Sequence, residues 1–313
     1  MATEVPGPTD LPKRSWWRVL NRTVHEFQRD DLLDWAAALT YYSVMSIFPG
    51  LVVLTSLLGL LGPSATSALT ENIQQMAPGP ARDLLLNSIK ELQSASQFAG
   101  PIAILGLVVA LWTASGYVGA FIRASNEIYD VEEGRPLRKT IPLQLALTLG
   151  VVVLLAVCAI GVVLTGDVAE WAGQLVGIGS TGVLIWNIVK WPVIAILVSL
   201  AFALLYWACP NVKHPGFRWL TPGSVLAVVL WVLASGGFAL YVTTFASYNK
   251  TYGSLAGIII FLVWLWISNL AVLLGAEFDA ELAREQQIAE GKPADQEPFL
   301  PPRDTSEMEG RSG

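Results

Sequence analysis

Two tryptophan-bearing apolar stretches carry the side chains that could hold a small ligand. Trp112 lies in one stretch and Trp266 in another, and indole faces can hold a quaternary ammonium by cation–π attraction. Tryptophans that face lipid or pack in a core explain the pattern equally well. Asn269, one helical turn after Trp266, and Ser115, close to Trp112, are polar side chains that we expect to face the interior.

A carboxylate and a polar turn complete the candidate substrate pathway. Glu277 immediately follows an apolar stretch, where it is either a solvated helix-end carboxylate or a substrate or coupling group. Asn249 and Tyr252 lie in a short polar segment with aromatic anchors, for which a structural turn is the simpler interpretation. The full set of candidate residues is Trp112, Ser115, Asn249, Tyr252, Trp266, Asn269 and Glu277.

The residues needed for common catalytic and cofactor sites are missing. The chain has only two histidines, His25 and His214, and neither has a second histidine three or four residues away. There is no phosphate-binding loop, serine-hydrolase elbow or dinucleotide fingerprint after a strand. We therefore predict no enzyme activity, no metal and no cofactor. A net charge of −6 also disfavours nucleic acid as a partner.

Composition indicates that these residues lie in a membrane protein. The chain is 53% hydrophobic and only 14% charged, and six charge-free stretches exceed the roughly 20 residues that cross a bilayer. The prediction is an all-α, six-transmembrane-helix bundle. Its spans are about 37–61, 101–122, 143–165, 185–207, 221–242 and 254–276. Lys190, flanked by tryptophans, is expected to extend towards one membrane interface.

The distribution of basic residues predicts the orientation. With the N-terminus inside, 15 of the 19 Lys and Arg residues fall on the inner side, which predicts cytoplasmic N- and C-termini in a bacterial inner membrane. The four on the outer side are Arg82, Lys90, Lys190 and Lys250.

Three segments flank or interrupt the predicted membrane domain, 36–279. Residues 1–35 contain Trp16, Trp17, Leu20, Val24 and Phe27 at helical spacing, which predicts an amphipathic helix. That helix lies either on the cytoplasmic leaflet or packed beneath the bundle. Residues 63–97 form an outer loop with two helical patterns. Residues 280–313 are acidic and are predicted to be a disordered cytoplasmic tail.

Several short motifs, in order along about residues 16–283, resemble the YihY/virulence factor BrkB family of bacterial inner-membrane proteins. They include AAALTYY from residue 36, NEIYDVEEGRP from residue 126, Pro210-Asn211, Pro222-Gly223, YNKTYGS from residue 248 and LGAE from residue 274. The resemblance implies a six-helix integral membrane protein. Many members carry a ribonuclease label, which this sequence does not support because the histidine-rich metal cluster of such a nuclease is absent.

Two hypotheses of function follow. The first is a transporter or exporter of small neutral or zwitterionic solutes, because the predicted span centres lack formal charge. The second is a lipid or envelope-precursor translocase or a membrane scaffold, suggested by the basic interfacial helix and the helical outer loop. The lipid bilayer is the predicted partner, with a small solute or lipid as substrate. The family resemblance supplies no binding residues, and a membrane ribonuclease is disfavoured.

Overall fold

The computed structural model describes residues 12–61, 86, 99–163, 180–214, 219–244 and 255–311. These residues form helices and connecting segments. The helices are α1 Lys13–Arg29, α2 Leu32–Leu61, α3 Ala99–Ile128, α4 Leu137–Val163, α5 Ser180–Ala208, α6 Pro222–Thr244, α7 Leu255–Ala289 and α8 Ser306–Arg311. Most of the predicted outer loop 63–97, together with Asn249 and Tyr252, lies outside the described residues.

The six long helices, α2 to α7, alternate in direction. The start of α6 contacts α7 near Asp279, while the segment after α3 contacts the residues that follow α5. Helix α1 and residues 290–311 lie at this same end of the bundle, which we call the terminal end. The opposite end is the distal end.

Four helices are long and apolar enough to cross a membrane. They lie at Leu137–Val162, Thr181–Ala208, Pro222–Val242 and Gly257–Ala289, within the part of the chain that could be assessed. This confirms an all-helical membrane protein and matches four predicted spans. The full count of six spans and the side of the membrane that each end faces stay predictions.

The segment predicted as a disordered tail is ordered over residues 280–311. Helix α7 runs 13 residues beyond the predicted end of its span, to Ala289. Phe299 and Leu300 are then buried in the main apolar cluster, and Val212 pairs with Pro302 in an isolated antiparallel bridge. The prediction failed because it rested on acidic, polar composition without an apolar period, whereas two carboxylates of this segment, Glu281 and Glu285, bind arginines of α1.

Helix α1 packs against α7 rather than lying apart from the bundle. Trp16 stacks on Phe278 with ring centroids 6.1 Å apart, and Val19 is buried beside Leu282. Trp17, on the opposite face, is 70% exposed. The packed interpretation is therefore correct for one face of α1, and the other face keeps an apolar surface.

Lys190 lies inside α5 and is 2% exposed, and the extension of its amine towards a membrane interface stays a prediction. Its Nζ donates a hydrogen bond to Oδ1 of Asn187, 3.1 Å away, and lies 5.6 Å from the ring centroid of Trp191. The amine is held by an amide one turn earlier and by an indole face, which replace part of the hydration that an exposed ammonium would have.

Candidate functional site

A neutral polar cluster joins three of the long helices. Asn269 of α7 is buried, and its Oδ1 accepts a hydrogen bond of 3.0 Å from the hydroxyl of Tyr117 on α3. Its Nδ2 donates to Oγ1 of Thr40 on α2 over 3.1 Å. Thr40 in turn donates to the carbonyl oxygen of Ala36, one turn earlier. The amide thus ties α2, α3 and α7 together through uncharged groups.

The other candidate residues of these helices divide between interior and surface. Trp266 of α7 is partly buried, and its Nε1 donates to the carbonyl oxygen of Leu33 at the start of α2. Ser115 is buried, and its backbone carbonyl accepts a hydrogen bond from the side chain of Gln144 on α4. Trp112 is 67% exposed, in contrast to the buried Ser115 and Asn269.

An antiparallel ladder of charges connects α1 to the terminal part of α7. Arg18 pairs with Glu285 at 2.5 Å, and Arg22 pairs with Glu281 at 2.5 Å and with Glu285 at 3.0 Å. Both glutamates are buried by these contacts. Side chains four residues apart lie on one helix face, so the two arginines and the two glutamates meet as matched rows.

Arg284 is the centre of a second group of ion pairs. Its buried guanidinium lies 3.3 Å from Asp130, 3.3 Å from Glu297 and 3.5 Å from Glu281, and its Cζ lies 4.9 Å from the ring centroid of Phe299. These partners come from the segment after α3, from the tail and from α7. Arg284 therefore connects α7, the segment after α3 and the tail through ion pairs.

Glu277 lies at the next rung of the α1–α7 ladder, where the charge pattern changes. The groups that face it from the end of α1 are Asp30 and Glu26 instead of arginines. Glu277 is 1% exposed, and no N–H or hydroxyl group among the described residues donates to its carboxyl oxygens, whose hydrogen-bonding neighbour is the carboxyl group of Asp30. The interpretation of Glu277 as a solvated carboxylate is therefore wrong.

Burial and like charges alter the protonation of groups beside Glu277. Burial raises the pKa of Asp30 to about 7, and the charges of Asp130 and Glu26 add to this rise. Burial, with the nearby carboxylates of Asp279 and Glu277, also raises the pKa of the Tyr129 hydroxyl well above its ordinary value. Asp30 is thus poised to exchange a proton near neutral pH.

Hydrogen bonds join the segment that follows α3 to the segment that follows α5, and we call this network of Asn126, Glu133, Arg135, Cys209 and Asn211 the clasp. Glu133 receives paired hydrogen bonds of 2.7 Å from Arg135, which also donates to the carbonyl oxygen of Cys209 over 2.7 Å. These bonds hold the pKa of Glu133 below its ordinary value against the opposing effect of partial burial. Asn211 is fully buried, and its backbone N–H donates to Oδ1 of Asn126.

The tail closes this clasp. The Asn211 amide donates to the carbonyl oxygen of Asp304 over 2.8 Å and accepts from the Asp304 N–H over 3.1 Å. Arg303 donates to the carbonyl oxygens of Trp207 and Val212. These contacts satisfy backbone groups at the end of α5 that the helix itself leaves unpaired.

Close backbone contact holds α6 against α7 at the terminal end. The N–H of Gly223 donates to Oδ1 of Asp279 over 2.7 Å, and a Cβ at position 223 would lie 2.5 Å from Cγ of Asp279 and nearer still to the Gly275 carbonyl oxygen. Both glycines therefore serve close helix approach.

His214 packs edge-on against Tyr129, with ring centroids 5.4 Å apart. Burial lowers the pKa of its imidazole to about 4, and the charge of Arg303 adds to this effect, so the ring is neutral at physiological pH. Across the residues that the structure describes, no three His, Cys, Asp or Glu side chains form a group that could hold a metal ion.

Sequence reasoning identified Asn269 and Glu277 but missed Asp30, Tyr117 and the ion-pair ladder. A signal for the ladder was present, because Arg18 and Arg22 repeat at the same spacing of four as Glu281 and Glu285. Asp30 gave no such signal, since its burial depends on how α1 folds back on α7.

Comparison with known proteins places these features in a family. The chain is 32% identical over 271 residues to the ribonuclease-like protein YfkH of Bacillus subtilis, which covers 87% of this chain and 95% of that protein. It is also 32% identical to UPF0761 membrane proteins of Chromohalobacter salexigens and Alkalilimnicola ehrlichii. Those two are longer, and the match covers 67% and 56% of their lengths. No solved structure matches.

The family model described as virulence factor BrkB matches residues 23–299. This range includes the neutral polar cluster, Glu277 and most of the terminal end. Four of the motifs that carried the resemblance in the sequence meet at the terminal end, where Asn126, Arg135, Asn211, Gly223 and Gly275 make the contacts described above. The chain belongs to the virulence factor BrkB family.

Proposed function

We propose that this protein is a bacterial inner-membrane transporter or exporter of small neutral or zwitterionic solutes. The observation that carries the proposal is the buried cluster of Thr40, Tyr117 and Asn269, whose members come from three predicted spans. The cluster offers hydroxyl and amide groups without a formal charge. Buried polar groups within a membrane domain are costly and mark substrate pathways.

The position of this cluster suits a carrier. Asn269 bonds to α2 and α3 at once, so a shift of α7 would release donors and acceptors for a solute. The excess of basic residues on the predicted inner side supports insertion in the inner membrane with the terminal end in the cytoplasm. We also propose that the protein is not an enzyme and does not bind nucleic acid.

Flux measurements in proteoliposomes test the proposal. Purified protein should carry labelled glycine betaine or ectoine faster than empty vesicles. Asn269→Ala and Tyr117→Phe should each reduce this flux at least several-fold, whereas Trp112→Leu, on the exposed face, should retain it. Absence of flux for a panel of neutral and zwitterionic solutes would reject the function.

A lipid translocase is the second candidate, favoured by the exposed apolar face of α1. Trp17, Leu20 and Val24 recur on this face and are all exposed. Such a face suits contact with the acyl chains of a leaflet. Movement of fluorescent lipid between leaflets of the same proteoliposomes, without solute flux, would favour this candidate over the first.

A further inference from the structure

The α1–α7 ladder joins opposite charges at two rungs and like charges at the third. Arg18 and Arg22 of α1 neutralise Glu285 and Glu281, which lie two turns and one turn beyond Glu277. The same spacing of four continues the α1 row to Glu26, and the chain then turns after Arg29 so that Asp30 also lies beside Glu277. Two carboxyl groups therefore face each other at the rung nearest the predicted membrane span.

Neither arginine close to this rung forms an ion pair with Asp30 or Glu277 among the described residues, although the charge of Arg29 partly opposes the rise in the pKa of Asp30. Arg29 pairs with Glu26 at 3.3 Å and with Glu297 at 3.0 Å, and Arg284 pairs with Asp130, Glu281 and Glu297. Within the described parts of the chain Glu277 has no ion pair with a cation, and its hydrogen-bonding neighbour is the carboxyl group of Asp30. Two buried acceptors with like charge are stabilised when one of them holds a proton and donates it to the other.

The groups around the pair come from every element packed against it. They are Glu26 and Arg29 of α1, Tyr129 and Asp130 after α3, Asp279, Glu281 and Arg284 of α7, and Glu297 of the tail. The carboxylates of this set outnumber its cations, and the surrounding field therefore favours uptake of a proton by the pair.

We propose that Asp30 and Glu277 form the proton-binding site that couples transport to the proton gradient, an inference that rests on the transport function proposed above. One proton binds a carboxylate oxygen of the pair and forms an O–H bond, and the same proton leaves when that bond breaks. Its loss places two negative charges in a buried site, where their repulsion separates α7 from the α1–α2 turn.

The pair lies next to the helices that carry the neutral polar cluster, because Glu277 is on α7 and Asp30 is in the turn that leads into α2. Asn269 precedes Glu277 by two helical turns on α7, a rise of about 12 Å, and Thr40 follows Asp30 on α2. Movement of α7 relative to α2 would therefore open the contact between Asn269 and Thr40. Release of the proton is thereby coupled to rearrangement of the neutral polar cluster.

Infrared titration of the intact protein tests the proton site without any solute. The wild type should show one protonated carboxyl per chain that ionises near neutral pH. Asp30→Asn and Glu277→Gln should each lower this midpoint by about one pH unit or more, because the remaining acid loses its like-charged neighbour. The double variant should lack the signal, and Asp31→Asn, at an exposed carboxylate, should leave it unchanged. A wild type with no bound proton between pH 6 and 8, or midpoints that ignore both substitutions, would overturn the site.

Glycine betaine flux then tests the coupling. An imposed pH gradient should drive flux in the wild type several-fold above the rate without a gradient, whereas Glu277→Gln should carry solute at a rate independent of the gradient. Wild-type flux that ignores the gradient overturns the coupling and leaves the transport function standing. Absence of flux with every solute rejects the transport function and its coupling, while the infrared titration still decides whether the pair binds a proton.

Discussion

The two ends of α6 differ in how far their residues are buried by the rest of the protein. Gly223, Ser224 and Ala227, in the first six residues at the terminal end, are buried. From position 228 to 242, no residue of α6 is buried by the described residues, and Leu233 and Leu240 are both more than half exposed. One helix thus passes from a close protein contact to a surface suited to lipid.

The terminal end is built like a soluble protein, whereas the rest of the bundle depends on its apolar surroundings. At the terminal end, arginines, carboxylates and amides form connected networks around buried aromatic rings. Along α4 to α6 the exposed residues are mainly Val, Leu, Ile and Trp. Substitutions at the terminal end should therefore cost much more stability than matched ones towards the distal end.

The largest effect is expected at Arg135. Arg135→Met should lower the free energy of unfolding by about 3 kcal/mol, because it leaves Glu133 and the carbonyl of Cys209 without their charged donor. Thermal unfolding in detergent measures the change. Arg138→Met, three residues away and exposed, is the control and should have almost no effect. Equal losses for both variants would contradict the distinction.

A glycine comparison within α6 tests the contrast most directly. Gly223→Ala should cost about 2 kcal/mol, since its Cβ would collide with the backbone of α7. Gly236→Ala adds a Cβ with nothing within 4 Å and should be neutral or slightly stabilising. Thermal stability in the same detergent gives both values. A tolerated alanine at position 223 would refute the close contact of α6 with α7.

The pH dependence of stability should also originate at the terminal end. The pKa of Asp30 is about 7 in the folded protein and lower when unfolded, so the folded state holds the proton more tightly. The contribution of Asp30 to stability is therefore greatest below its unfolded pKa and falls by up to about 1 kcal/mol per pH unit as pH rises towards 7. Asp30→Asn should flatten this fall, and Asp31→Asn should not. Melting temperatures from pH 5 to 8 measure it.

The smallest effect is expected at the neutral cluster. Tyr117→Phe removes the donor to Asn269 and should cost about 1 kcal/mol, since hydrogen bonds inside membrane proteins are individually weak. Trp112→Leu should cost less, because its side chain is mostly exposed. Unfolding in detergent compares the two. A loss at Tyr117 as large as that at Arg135 would place the main stabilising network within the membrane.

Sequence patterns predicted the long helices well because a stretch of 20 or more residues without charge is usually a membrane-spanning helix. The match of α4 to α6 with three predicted spans follows from that rule. The same reasoning failed beyond residue 276, where residues 280–313, which include Glu281 and Glu285, were predicted to be a disordered tail. Their partners Arg18 and Arg22 lie more than 250 residues away, and pairing over such distances depends on the fold.

The candidate site was predictable only in part for a similar reason. A lone amide such as Asn269 within an apolar stretch must find partners, so its interior position could be inferred. The change from opposite to like charges at Asp30 and Glu277 could not, because it depends on the register of α1 against α7.

The contact between Asn211 and Asp304 sets an order of assembly. Residues 299–305 follow all six long helices in the chain, and the ribosome therefore makes them after every helix that they fasten. Until Arg303 and Asp304 are made, Asn211 and the carbonyl oxygens at the end of α5 lack these hydrogen-bond partners. The hydrogen bonds that close the terminal end can therefore form only after α2 to α7 have been made.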